Sequence, residues 1–483
     1  MTTTAAATTK TNWRWVICSL LFFATTINYL DRQVLSLTWK DFIAPEFHWT
    51  DSDYGTITGF FSLFYAAISL FAGKFIDWMG ARKGYLWAIF IWSLAACLHA
   101  GCGWLTAKLG GLESVEALKM VESGSALALS VASISVWLFL GCRALLAVGE
   151  SGNFPAAIKV TAQYFPKMDR AFATAVFNAG ASVGALAAPL CIPMLAKLYG
   201  WEMAFLIIGA LGFVWMGFWM KLYSAPEKSK YVNDAELSYI QQDEIGESKS
   251  QIIKEETQTI SFWRCFSYRQ TWAFIAGKAL TDGVWWFFLF WAPAYFSDQF
   301  GYASYTPMGQ ALIFTLYLIV TVLSIFGGYL PKLFVEHHGM DPYAGRMKAM
   351  LMFAFVPILA LLAQPLGMHS AWWPAIIIGL AGAAHQAWSA NLYSIIGDMF
   401  PTSTVASIVG IGTMAGGISS YTINKGSGVL FDYAATLGDS FTFMSFSGKP
   451  AGYMIVFSIC AVSYLVAWCT IKLLVPKYKK III

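Results

Sequence analysis

The chain has 483 residues, of which only 12% are charged and 58% hydrophobic. A soluble domain carries roughly 25% charged residues, so the composition excludes a water-soluble enzyme. The net charge of +4 comes from basic residues scattered between apolar runs, which excludes a nucleic-acid-binding face.

A Thr- and Ala-rich segment, 1–12, precedes an apolar run from Trp13. That run is too long for a cleaved leader and lacks a small-residue cleavage site, so it reads as a retained span. Apolar runs of about 18 residues or more then recur, continuous rather than alternating, as membrane helices require. Helical spans are predicted at 14–37, 54–77, 85–104, 127–149, 171–196, 203–222, 271–296, 309–333, 348–366, 372–396, 404–431 and 452–475. A polar insert at 105–126 separates spans three and four. The longest polar stretch, 224–268, holds Lys228, Lys230, Lys249, Lys254, Glu255 and Glu256. The expected organisation is a six-helix bundle over 1–223, a linker over 224–268 and a second six-helix bundle over 269–483: an all-α integral membrane protein of twelve transmembrane helices.

With the N-terminus in the cytoplasm, 22 of the 31 Lys and Arg fall on the inner side, 5 outside and 4 inside spans. The positive-inside bias therefore predicts both termini and the linker to be cytoplasmic. The eight cysteines stand singly, without CxxC, and the six histidines form no HExxH. No metal or other cofactor is expected, nor an embedded enzyme, and no segment is long enough for a signalling domain.

Ionisable groups inside spans are costly and mark function. Span one holds Tyr29, Asp31 and Arg32. Adjacent residues point about 100° apart, so Asp31 and Arg32 cannot face one partner; they suit either a functional site or an interfacial helix end. Arg143 and Glu150 in span four lie two turns apart on one face, about 10 Å along the axis. Lys278 and Asp282 in span seven are at i, i+4 and either bridge each other or face a ligand. His385, Gln386 and Asn391 in span ten, Lys425 in span eleven, and the Trp285–Trp286 pair complete the polar and aromatic set. Gly180 and Gly184 form a small-residue face in span five.

Between spans two and three stand Gly73, Asp77, Gly80, Arg82 and Lys83, with a looser echo at Gly328, Pro331, Lys332, Gly339, Arg346 and Lys348. The first string resembles the cytoplasmic loop signature of the major facilitator superfamily, where it acts as a conformational latch; it also suits a tight turn. Asn28-Tyr29-x-Asp31-Arg32, with Arg143-x6-Glu150-Ser-Gly-x-Phe-Pro155, resembles the anion:cation symporter branch of that superfamily. Gly277-Lys278-Ala-Leu-Thr281-Asp282-Gly-Val-Trp285-Trp286 and Ser389-Ala-Asn391-Leu-Tyr393 are similar to its hexuronate transporters. The resemblance runs over nearly the whole chain. It implies a carrier in the cell inner membrane, importing a sugar acid by proton symport; a monomer is expected.

By residue, the resemblance implies Asp31 and Glu150 as proton sites and Arg143 as the carboxylate anchor, with Arg32 or Lys278 beside it. It also implies Tyr29 and Tyr65 as cavity walls. Asn391 and Gln386 join them as candidates for sugar hydroxyls. Galactonate carriers have a glutamine where Ala181 stands here, with Asn178 a turn away as a substitute, and Gly412-Thr413 replaces their span-eleven asparagine. Those departures point away from galactonate. Aldonates, aromatic acids and sodium coupling are the competing expectations.

Overall fold

The computed structural model describes residues 10–242 and 260–481. The linker charges Lys249, Lys254, Glu255 and Glu256 lie outside the described residues. The long helices are α1 (Trp13–Thr38), α2 (Asp51–His99), α3 (Ala126–Glu150), α4 (Asn153–Tyr164), α5 (Lys167–Tyr199) and α6 (Trp201–Leu222). They continue as α7 (Arg269–Phe300), α8 (Pro307–His338), α9 (Pro342–Phe355), α10 (Trp372–Met399), α11 (Thr402–Leu437) and α12 (Lys449–Leu474).

Eight helical segments among the described residues are long and apolar enough to cross a membrane. One of them, α2, has 49 residues and would run about 73 Å, more than twice the roughly 30 Å hydrocarbon core. It turns back at Gly80, whose φ of 76° and ψ of 155° leave the helical region, and so supplies spans two and three. A positive φ costs glycine nothing. The loop expected around Asp77 and Arg82 is thus a single-residue hinge between helical arms.

Span four also runs further than expected, because α4 resumes after Ser151 and Gly152 and carries the helix to Tyr164. Span nine is broken: α9 ends at Phe355, and a 3-10 stretch with Pro357 covers Val356–Leu362 before a last turn to Gly367. Proline lacks the N–H that an α-helix would need there. The three long helices outside the apolar eight are α1, α10 and α11. They hold Asp31 and Arg32, His385 and Gln386, and Asn424 and Lys425. Counting them gives twelve crossings among the described residues.

Local signals start several helices. Thr50 and Asp53 form a reciprocal capping box at α2. Ser125, Thr306 and Asp341 cap α3, α8 and α9. The first six spans pack together, with α1 against α5 and α6, and α2 against α3 and α6. In the second six, α7 packs on α11 and α12, and α8 on α10. The two groups meet through α2 with α11, α5 with α8, and α1 with α7.

The two ends of the molecule differ. At the end away from the termini, Lys40 and Lys449 each bind both Asp51 and Asp298, at 2.5–3.3 Å, in a closed ring of four charges. Lys40 and Asp51 belong to the first six-helix group, Asp298 and Lys449 to the second. Asp432 of α11 accepts the backbone N–H groups of Asp51 and Ser52 at 3.0 and 2.7 Å, capping α2 from the other group. Asp41 accepts from Ser297 and Ser304 at 2.7 Å, and Lys425 donates to Ser52 and Thr56. Lys425 therefore joins the groups at this seal. Among the described residues, the hydrogen bonds and ion pairs between groups lie from mid-height, where Ser420 donates to Ser62, to this far end. At the terminus end the hydrogen bonds and ion pairs among the described residues stay within one group.

Candidate functional site

Close helix approach positions the first site residues. A side chain at Gly180 would strike the Phe22 carbonyl, and one at Gly184 would lie 2.6 Å from the Thr26 carbonyl. The two glycines let α1 settle on α5 and thereby fix Tyr29 and Arg32. Arg32 reaches across to Glu150: its Nε and Nη2 donate to one carboxylate oxygen at 3.0 and 2.7 Å. Both groups are buried. Three rings surround the guanidinium, Tyr65 at 4.8 Å, Tyr29 at 5.3 Å and Trp286 at 5.4 Å from their centroids. Such a cage favours a cation held out of water. Arg32 is thus no interfacial helix end but a cavity wall.

Lys278 binds Asp282 one turn along α7 at 2.7 Å, and its ammonium sits 4.9 Å from the Tyr393 ring centroid. His385 pairs with the Tyr464 hydroxyl at 2.7 Å through Nδ1 and stacks on Trp285. Trp285 and Trp286 are accordingly already engaged by His385 and Arg32.

These residues wall a cavity between the two six-helix groups. A compartment of about 190 Å³ is lined by Arg32, Tyr65, Lys278, Asp282, Trp286 and His385, among others. A larger one of about 580 Å³ adds Asn178, Ala181, Tyr317 and Ser324. The two share Tyr29, Trp285, Gln386 and Tyr393 as walls. Thr413 also faces the smaller compartment.

Four expected site residues wall neither compartment: Glu150, which meets the cavity only through Arg32, and Arg143, Asn391 and Asp31. Arg143 is absent from both compartments; it lines a closed gap toward the far end with Arg32, Ser36, Phe61 and Phe290. Its guanidinium sits over Phe61 at 5.4 Å, and its Nε has no partner. Asn391 faces a separate groove with Lys332 and Arg346, and its amide donates to Ala387 of its own helix. The helical period turns it away from Gln386 and Ser389. Asp31 of α1 is buried, with no hydrogen bond to either oxygen.

Ser389 and Tyr393 belong to a string that carries the resemblance but were given no site role from sequence; both wall the cavity. Steps of four from His385 to Ser389 and from Ser389 to Tyr393 put all three on one helix face, a signal the sequence did contain. In the loop motif, Asp77 binds Lys159 at 2.8 Å, and Arg82 donates to the Met220 carbonyl at 3.0 Å. The echo in the second group pairs Arg346 with Asp398. Among the described residues no cluster of His, Cys, Asp or Glu could hold a metal.

A model of the Major Facilitator Superfamily matches residues 21–422. The hexuronate transporter of Escherichia coli K12 is 26% identical over 420 residues, covering 84% of this chain and 85% of its own. The galacturonate transporter of Dickeya chrysanthemi is 24% identical, covering 71% and 89%. In fold, a bacterial homolog of the human lysosomal transporter Spinster, inward-facing and occupied, superposes with a TM-score of 0.65 at 17% identity, covering 96% and 97%. A D-xylose-proton symporter gives 0.62 at 14%, covering 95% and 98%. Twelve crossings in two groups around a cavity, matched by the family model over most of its length, make this chain a member of the major facilitator superfamily, a multi-pass membrane transporter and not an enzyme.

Proposed function

We propose that the chain imports a sugar acid, a hexuronate such as glucuronate or galacturonate, by proton symport with alternating access. One observation carries this: a cavity between the two groups is walled by two cations, Arg32 and Lys278, and by hydrogen-bonding and aromatic side chains. Relatives named for hexuronate and galacturonate transport support the substrate class.

The termini and linker are assigned to the cytoplasm on the basic-residue asymmetry. The charged ring at Lys40, Asp51, Asp298 and Lys449 then closes the outer end, and the cavity belongs to an inward-facing state. The moving bodies are 1–223 and 269–483, joined by 224–268, in one chain in the cell inner membrane. A single chain builds the cavity.

Arg32 takes the substrate carboxylate, since a guanidinium offers it a bidentate fork. Glu150 occupies that fork in the structure, so a proton on Glu150 frees Arg32 for the carboxylate. One negative partner replaces another, which couples proton to substrate. Asp31, a buried carboxyl without a hydrogen bond, is the second proton site. Arg143 receives the carboxylate when the outer end opens, because it stands beyond Arg32 in that direction. Gln386, Asn178, Tyr29 and His385 address the ring hydroxyls.

The test is counterflow and uptake in proteoliposomes over a panel of uronates, aldonates and aldarates, with and without a pH gradient. Uronate uptake that rises with an inward proton gradient is expected. Aldonate transport without uronate transport would overturn the substrate, and dependence on sodium alone would overturn the coupling ion.

A further inference from the structure

The carboxy-terminal tail builds a second groove, remote from the transport cavity. It has a volume of about 820 Å³ and lies between the start of α7 and the segment after α12. Arg269, Lys477, Lys479 and Lys480 line it together with Tyr268 and Tyr478, and no acidic side chain does. Among the described residues none of these four cations has an ion-pair partner.

The tail is held rather than loose. Tyr343 donates to the Val475 carbonyl, Gln270 to that of Lys479 at 3.3 Å, and Tyr478 to that of Asp398 at 3.0 Å. The Ile481 N–H bonds the Met399 carbonyl at 2.9 Å. The lysines are therefore presented from a fixed backbone, which lowers the ordering cost of binding. Next to the wall residue Leu474, α12 exposes Leu473 (81%), and one turn on from Arg269, α7 exposes Trp272 (49%). Exposed apolar and indole side chains at a helix end mark the lipid–water boundary.

We infer that this groove binds the phosphate headgroup of an anionic phospholipid. Four cations with no ion-pair partner among the described residues attract a phosphodiester. Exposed Leu473, next to the wall residue Leu474, and Trp272, one turn from the wall residue Arg269, offer acyl chains apolar surface that a soluble phosphate cannot use. The groove shares no wall residue with the transport cavity, so the headgroup is a bound partner and not cargo. The inference is independent of the substrate assigned above. Because Tyr478 bonds the carbonyl of Asp398, the partner of Arg346, a bound headgroup also braces the latch of the second helix group.

The experiment is native mass spectrometry of the full-length protein with phosphatidylglycerol or phosphatidylcholine, each titrated with inorganic phosphate. Phosphatidylglycerol should be retained over phosphatidylcholine. Lys479→Gln/Lys480→Gln and Arg269→Gln should weaken retention by about fivefold per cation removed. Lys332→Gln, an exposed cation at the same end, should leave retention unchanged. These side chains are exposed, so folding is not at risk, and uptake activity confirms it. Three results overturn the proposal: equal loss in Lys332→Gln, wild-type retention in the groove variants, or full displacement of the lipid by millimolar phosphate.

Discussion

Two buried ion pairs meet the same cavity, one through both Lys278 and Asp282 and the other through Arg32 alone, and their partners are held in different ways. Lys278 and Asp282 sit one turn apart on α7, so every rigid movement of that helix carries both. Arg32 and Glu150 are 118 residues apart, on α1 and α3, and meet only through tertiary packing. The first pair keeps its geometry as the helices rock. The second depends on how α1 and α3 sit together and on what else competes for the guanidinium. In the proposed symport the first pair serves to recognise cargo and the second to couple it.

The largest effect is expected from breaking the interhelical pair. Arg32→Ala leaves Glu150 buried without its partner, at a cost of about 3–5 kcal/mol. Thermal unfolding in detergent should shift down, and counterflow should vanish. Arg32→Lys should keep the stability better than the transport, because a point charge cannot reproduce the fork. Wild-type counterflow in Arg32→Ala would move the anchor to Lys278.

Glu150→Gln separates binding from coupling. It should lose pH-driven accumulation and retain substrate exchange, which needs no deprotonated empty carrier. Asp31→Asn should do the same to a smaller degree. Both activities are read in one liposome preparation. Normal uphill uptake in Glu150→Gln would remove it from the proton path.

The intrahelical pair should give a smaller and different loss. Lys278→Ala strands Asp282 within the cavity wall, while Glu150 and Arg32 stay as they are. The expectation is a raised KM with the proton response intact. If Lys278→Ala instead abolishes pH dependence, the contrast between the two pairs fails.

The seal away from the cavity tests the same contrast at a distance. Lys449→Gln opens the four-charge ring and favours the state closed at the other end. A cysteine replacing Ser36, just beyond Arg32, should then be labelled faster by an impermeant reagent from outside. A single partly exposed charge in such a network contributes roughly 1 kcal/mol, so a few-fold gain in rate is the scale. Unchanged labelling would deny the ring any part in holding the outer end. The smallest effect is expected for Asn391→Ala, with near wild-type uptake, because the side chain faces the other groove.

Hydrophobic runs of bilayer length determined the membrane class and the number of crossings, since lipid leaves the backbone no alternative to helix. Gly80 could be placed at a turn, because its neighbours Asp77 and Arg82 mark the boundary. The Lys278–Asp282 contact was legible too, for the helical period alone brings i and i+4 together. Tertiary structure decided which cation faces the cavity. Arg32 and Arg143 are equally conspicuous as charges in apolar runs, but only the docking of α1 onto Gly180 and Gly184 turns Arg32 to the cavity. The packing around Phe61 and Phe290 leaves Arg143 in the closed gap. The ring of Lys40, Asp51, Asp298 and Lys449 was equally invisible. Its members look like ordinary loop charges until the two helix groups meet, because ion pairing depends on distance in space and not along the chain.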